Sequence, residues 1–292
     1  MKRSVAFVVV FAVAFVLLPV FVAVAQEINV GPGDSIPNNT QLPNGATVNV
    51  NGGTIGLGVE LISGVLNVND GNVAIGANSQ GTGFNNINNT VNINGGNVGG
   101  FFQLRNGTVL NLNDGVVESF GVLSNSSANI TGGQVVVFPD IVSGLVNIRG
   151  GDVASVRVFD GGTVHIFGTD FFIDGVLVDD LAIGETRIIT DRNIELAANL
   201  EDGSFFDFVL NPQIVGLLPD AATFNSTVMV TRVEPLPVLG DLNGDGAVDL
   251  LDVQPFVEAL SGSNPNDGAD INQDGIVNLL DVQPFVALLS GV

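Results

Sequence analysis

Apolar and polar residues alternate in a short phrase that returns seven times along the chain: VNVNGG, LNVNDG, VNINGG, LNLNDG, ANITGG, VNIRGG and a degraded VHIFGT. The phrases start at residues 48, 66, 91, 110, 128, 146 and 164, so the steps between them are 18, 25, 19, 18, 18 and 18. Val48, Leu66, Val91, Leu110, Ala128, Val146 and Val164 form one apolar row, and Val50, Val68, Ile93, Leu112, Ile130, Ile148 and Ile166 a second. Between them run Asn49, Asn67, Asn92, Asn111, Asn129 and Asn147. Successive side chains of a strand point to opposite faces, so the alternation predicts strands with apolar residues inside and Asn outside. The Gly and Asn content excludes helix. Glycine closes each of the first six phrases, at Gly53, Gly71, Gly96, Gly115, Gly133 and Gly151, where a corner calls for a positive φ that Gly adopts at least cost. Two residues later, Ile55, Val73, Val98, Val117, Val135 and Val153 begin the next inward face.

Self-similarity at this period marks a stacked repeat. The predicted fold is all-β, a parallel β-helix solenoid with coils about 4.8 Å apart, followed by a small C-terminal α-helical unit. Three six-residue sides would also suit a left-handed prism, but the steps vary and no hexapeptide repeat runs through all three sides, which favours the right-handed form. The longest step carries 25 − 18 = 7 extra residues, within GANSQGTGFNNINN, expected to bulge from the stack as a loop. Residues 26–165 are assigned to the β-helix, with 26–47 covering its first end, because open strand edges need covers. Residues 166–232, acidic and without repeats, read as short strands and turns capping the other end. Residues 233–239, with Pro235 and Pro237, read as a stiff linker to a unit at 240–292.

Composition changes the picture in two ways. The first 25 residues carry Lys2 and Arg3, a long apolar stretch broken by Pro19, and Ala23 and Ala25 before Gln26. This has the form of a cleaved secretory signal, so no retained membrane span and a secreted or cell-surface location are expected; a retained anchor is the competing reading, which the apolar length would just permit. Without that segment, six Arg face thirty acidic residues, a net charge of 6 − 30 = −24. A surface so acidic excludes nucleic acid as a partner. The chain has no Cys, so an exported fold must be held together without disulfides.

The chain closes on GDLNGDGAVDLLDVQPFVEALSG and then nearly repeats it as ADINQDGIVNLLDVQPFVALLSG. A twelve-residue calcium loop carries oxygen ligands at positions 1, 3, 5, 9 and 12, a backbone carbonyl at 7 and Gly at 6. Asp241, Asn243, Asp245, Ala247, Asp249 and Asp252 fill these ligand positions in the first copy, with Gly246 at the turn; Asp270, Asn272, Asp274, Ile276, Asn278 and Asp281 fill them in the second, with Gly275. Alternate residues of a tight loop point at one centre, where a hard cation needs six or more oxygens. Without an ion, four carboxylates about 5 Å apart repel one another by about 3 kcal/mol per pair, and no Lys or Arg lies between residues 236 and 292. Two bound Ca²⁺ ions are therefore the expected staples of a segment too small to rely on its core. An acidic turn on a solvated linker would explain one such loop; two in register, each followed by the same apolar helix, are not explained that way.

These loops and helices resemble the dockerin family, whose paired calcium loops each lead into a helix that docks onto a cohesin module, often in polysaccharide-degrading assemblies. The resemblance covers about residues 240–292. It implies a cohesin-like partner chosen by loop positions 10 and 11, here Leu250 and Leu251 in the first copy and Leu279 and Leu280 in the second, so that docking in two orientations is expected. Asp stands at position 12, Asn278 lowers the charge of the second site, and the basic residues common on dockerin helices are absent. Pro255 and Pro284 are tolerable only in a first helical turn, so each helix should begin near Asp252 and Asp281.

Candidate catalytic groups are few along the stack. Arg105, Arg149 and Arg157 fall at different offsets in their coils. Asp70 and Asp114 share an offset two coils apart, about 9.6 Å by strand spacing, the far edge of an inverting glycosidase pair. Both lie in Asn-Asp-Gly corners, where Asp is an ordinary turn residue. His165 occupies the Asn row and reads as a surface ladder residue. The Asn row itself reads as a solvated or self-bonded amide ladder, and Phe101, Phe102, Phe171, Phe172, Phe205 and Phe206 as packing in core and caps. The chain thus reads as a secreted, non-catalytic β-helix displayed through a calcium-dependent module. A polysaccharide hydrolase or lyase, an accessory of such an assembly, and a surface adhesin remain as alternatives, with cell-envelope or extracellular polysaccharide as a further partner.

Overall fold

A strand with Val, Leu and Ile on one face buries that face only when neighbours bring theirs, and the phrases do this by stacking in register. A computed structural model describes residues 26–74, 86–123, 125–137, 139–212, 220–234, 239–244, 247–264 and 266–290. The leader at 1–25, most of the inserted stretch in the longest step, and Pro235 and Pro237 lie outside the described residues.

The first apolar row runs through parallel pairings from Ile28 to Val48, Leu66, Val91, Leu110, Ala128, Val146, Val164 and Val228. A second face stacks Ile36, Ile55, Val73, Val98, Val117, Val135 and Val153. A third stacks Leu104, Val122, Ile141, Val158 and Ala222. These rows belong to one continuous apolar core, so the β-solenoid is present with three inward faces.

The stack is longer than the phrases alone indicate. Glu27–Val30 pairs in register with Thr47–Val50 and so forms the first rung, where the sequence suggested a cover. Thr227–Arg232, within the stretch assigned to the cap, returns after 64 residues (228 − 164) to pair parallel with Thr163–Gly168. Its Val228 and Val230 are buried, and the alternation is intact without the Asn and Gly that mark the other rungs.

Between these two rungs the chain caps the stack. The end of strand Thr163–Ile173 turns antiparallel to Glu195–Leu200, which pairs with Phe205–Val209. Phe171, Leu196, Ala198, Leu200, Phe206 and Phe208 close over the core. Phe205, by contrast, is 62 % exposed on the outer face of its strand and lies outside the core; alternation puts it opposite Phe206. The side chains of Phe101 and Phe102 lie outside what is described. Arginines pin the cap: Arg149 meets Glu201 at 2.7 Å, and Arg192 donates to the carbonyls of Ile189, Ala222 and Ser226.

Five of the six corner glycines take positive φ, from Gly71 to Gly151. The first corner differs: Gly52 takes φ 96°, and Gly53 lies against Val30. At Gly115, φ is 84° and a Cβ would stand 2.7 Å from the Gly96 carbonyl oxygen in the coil below. Gly203 has φ 86° with nothing within 4 Å of its Cβ position. Gly115→Ala should therefore cost roughly 2–4 kcal/mol in denaturant unfolding, backbone strain and crowding together, and Gly203→Ala about 1–2 kcal/mol from strain alone. Equal losses would show that the close stacking of corners carries no energy.

Candidate calcium and docking site

The outward residues of the stack bond mainly to one another and to turn amides. From Asn147 to Asn129, Asn111, Asn92, Asn67, Asn49 and Asn29, each amide Nδ2 donates to the Oδ1 of the next at 2.8–3.0 Å. A second ladder joins Thr131, Asn113, Asn94, Asn69 and Asn51. These amides satisfy one another between coils, as the self-bonded reading expects. Asp70 and Asp114 each accept the following glycine N–H at 2.7 Å, from Gly71 and Gly115. Arg157 pairs with Asp140 at 2.6 Å and Arg105 with Gln103. His165 continues the Asn row in register with Asn147, and its Nε2 meets Thr231 Oγ1 at 2.6 Å. Burial, and then nearby Arg149, hold its pKa below the usual histidine value, so the ring is neutral at pH 7.

The tail is built as two copies offset by 29 residues (270 − 241). Each loop ends in a single 3₁₀ turn, Leu250–Asp252 or Leu279–Asp281, that runs into helix α1 (Val253–Leu260) or α2 (Val282–Ser290). Pro255 and Pro284 are thus third in their helices, where no intrahelical N–H bond is lost. The apolar face of each helix brings one Phe to the centre. Phe256 and Phe285 stack with ring centroids 4.0 Å apart and 14° between planes. Ala259, Ala269 and Ile271 complete a small core separate from that of the stack.

Asp252 and Asp281 are the hubs of the two loops, and neither has exposed surface. Asp252 Oδ1 accepts from the N–H of Leu242 at 2.7 Å and of Asn243 at 3.0 Å, and Oδ2 from Asp249 at 2.9 Å. Asp281 repeats this with Asn272 at 3.0 Å and Asn278 at 2.8 Å. Burial pushes both carboxyls up, and the backbone N–H groups together outweigh it, so both stand below the usual carboxylate range. Asp249 and Asn278 complete capping boxes, accepting from Leu251 and Leu280 at 2.7 Å. At the loop entrances Asp241 accepts from Gly244 at 2.8 Å, and Asp270 from Asp274 at 3.1 Å and Gly275 at 2.8 Å.

Among the described residues, no three His, Cys, Asp or Glu side chains converge on one centre; Asp245 and Gly246 lie outside them. The carboxylates are turned onto loop amides instead. The donor set still fits a hard cation. Each loop offers oxygen alone, from Asp, Asn and the carbonyls of Ala247 and Ile276, and no Lys or Arg shares the segment. A carboxylate has about four lone-pair sites, so the three N–H groups on Asp252 leave one for a metal.

The same turns create the exposed surface. Because Asp252 and Asp281 point inward, Leu250, Leu251, Leu279 and Leu280 point out, at 81, 66, 81 and 67 % exposed. Val257 and Val286 continue each patch one to two turns along its helix. The sequence reading missed these valines, although the helical spacing from Leu250 and Leu279 places them on the same face. Among the described residues, no helix is long and apolar enough to cross a membrane.

The dockerin type I domain family model matches residues 239–284. No curated protein and no solved structure matches the chain. The match falls on the duplicated loop and helix, and this C-terminal unit is a dockerin type I domain.

Proposed function

We propose that this is a secreted β-helix protein without catalytic activity, attached to an extracellular assembly when its dockerin unit binds a cohesin-like module in the presence of calcium. The observation that carries the reading is the pairing, twice over, of a buried Asp with an adjacent exposed Leu-Leu step: Asp252 with Leu250 and Leu251, Asp281 with Leu279 and Leu280. Asp241, Asn243, Asp245, Ala247, Asp249 and Asp252 would hold one Ca²⁺, and Asp270, Asn272, Asp274, Ile276, Asn278 and Asp281 a second. Bound calcium would supply the positive charge that the segment lacks. The apolar leader at residues 1–25 supports export. The mutually bonded Asn ladders and the turn-bonded Asp70 and Asp114 support a structural stack.

Withdrawing calcium by chelation should unfold residues 240–292 and leave the stack folded. Helical circular dichroism and amide protection in α1 and α2 should be lost, while protection of the stack's strands is kept. At a hundredfold excess of calcium over Kd, each site stabilises the unit by about 2.7 kcal/mol. Unchanged protection in the tail after chelation would contradict the calcium assignment.

Immobilised full chain should capture a cohesin module in calcium and release it to chelator. Replacing Leu250, Leu251, Leu279 and Leu280 together by Ala should weaken capture at least about 100-fold, since central apolar anchors contribute most of an interface's energy. Release of sugars from a polysaccharide panel, lost on altering Asp70 or Asp114, would instead assign the stack to catalysis.

A further inference from the structure

The two docking faces are near copies, and one difference between them is charged. Adding 29 to each position of α1 gives α2, and the two agree from Val253/Val282 through Val257/Val286. The next pair is Glu258 and Ala287. Glu258 lies seven residues after Leu251, two helical turns along and on the same face. Gln254 Nε2, one turn nearer the leucines, donates to Glu258 Oε1 at 3.0 Å and holds the carboxylate on that face. The second face has Gln283 and Ala287 at the matching places, and no charged residue anywhere in α2. The following pair sharpens the difference: Ala259 is buried, whereas Leu288 is 40 % exposed and adds apolar surface to the second copy.

The electrostatics of the unit point the same way. Residues 240–292 hold nine acidic side chains and no Lys or Arg. A partner that gripped by salt bridges to acidic groups of its own would find no cation to meet. A partner with basic groups would find only Glu258 outside the loop ligands on the docking faces. Burying Glu258 against an apolar partner strips its water without a compensating charge, an expensive arrangement.

We propose that the partner is a protein module with an apolar, uncharged docking patch, and that it seats by preference on the second face, around Leu279, Leu280 and Val286. The first face is a weaker seat because Glu258 stands in it. This rests on the cohesin-type reading above, and it adds the partner's surface chemistry and an order of preference that near-identical faces would not by themselves have.

The test uses the full chain in calcium against a panel of cohesin modules whose docking faces range from acidic to uncharged. Modules with uncharged apolar faces should bind, with Kd moving less than about threefold between about 0.05 and about 1 M salt, because little of the attraction is screened. Leu279→Ala with Leu280→Ala should weaken binding about tenfold or more, and Leu250→Ala with Leu251→Ala less than about threefold. Adding Glu258→Ala to the Leu279→Ala, Leu280→Ala variant should restore most of the loss, a gain that a merely structural role for Glu258 does not produce. Equal losses from the two leucine pairs, absence of rescue, or binding that falls steeply with salt would each overturn the proposal while leaving the cohesin-type reading in place. No binding by any module in calcium would overturn both.

Discussion

The dockerin unit depends on keeping two carboxylates, Asp252 and Asp281, out of water in a segment with no cationic side chain. A buried charge is costly unless it is met by opposite charge or by several hydrogen bonds. Here backbone N–H groups from both ends of each loop meet it. Those bonds tie the loop entrance to the helix start, fix the 3₁₀ turn, and leave the two leucines before each Asp with no way to face inward. The buried carboxylate and the exposed leucine pair are thus two sides of one turn. On the proposed function, whatever neutralises the loops also sets the leucines, so attachment would follow calcium.

The stack depends on different physics. Its coils are held by apolar rows packed in register, by parallel ladder bonds and by mutually bonded Asn amides. Among the described residues no charged side chain belongs to its apolar core, and its ion pairs sit on outward positions, Arg157 with Asp140 between two rungs and Arg149 with Glu201 in the cap. Such a structure needs no disulfide. Under the proposed function, the protein joins a stack held by apolar packing and amide ladders to a unit that calcium would organise.

Much of this was legible in the sequence because the same residues carry both pattern and structure. Alternation gave the inward rows, Asn the ladder and Gly the corners; the twelve-residue spacing gave the loops. The reading faltered where the pattern survived without its markers. Ile28 and Val228 extend the first apolar row, yet Thr227–Arg232 has neither Asn nor Gly, and Glu27–Val30 meets proline two residues on. At the first corner the positive φ sits at Gly52 instead of Gly53, and the Asn-Gly-Gly spelling, shared with the Asn-Gly-Gly corner that ends in Gly96, does not distinguish the two. Phe205 and Phe206 are indistinguishable by type, and only the hairpin with Glu195–Leu200 decides which faces the core. The hydrogen bonds that make Asp252 and Asp281 hubs follow from loop closure, which spacing suggests but does not display.

The most direct test of the central claim is calorimetric titration of the full chain with Ca²⁺. The account expects heat of binding from two sites per chain, with one site lost on Asp252→Ala and the other on Asp281→Ala. A titration without heat, and with the tail already as ordered as in excess calcium, would contradict it.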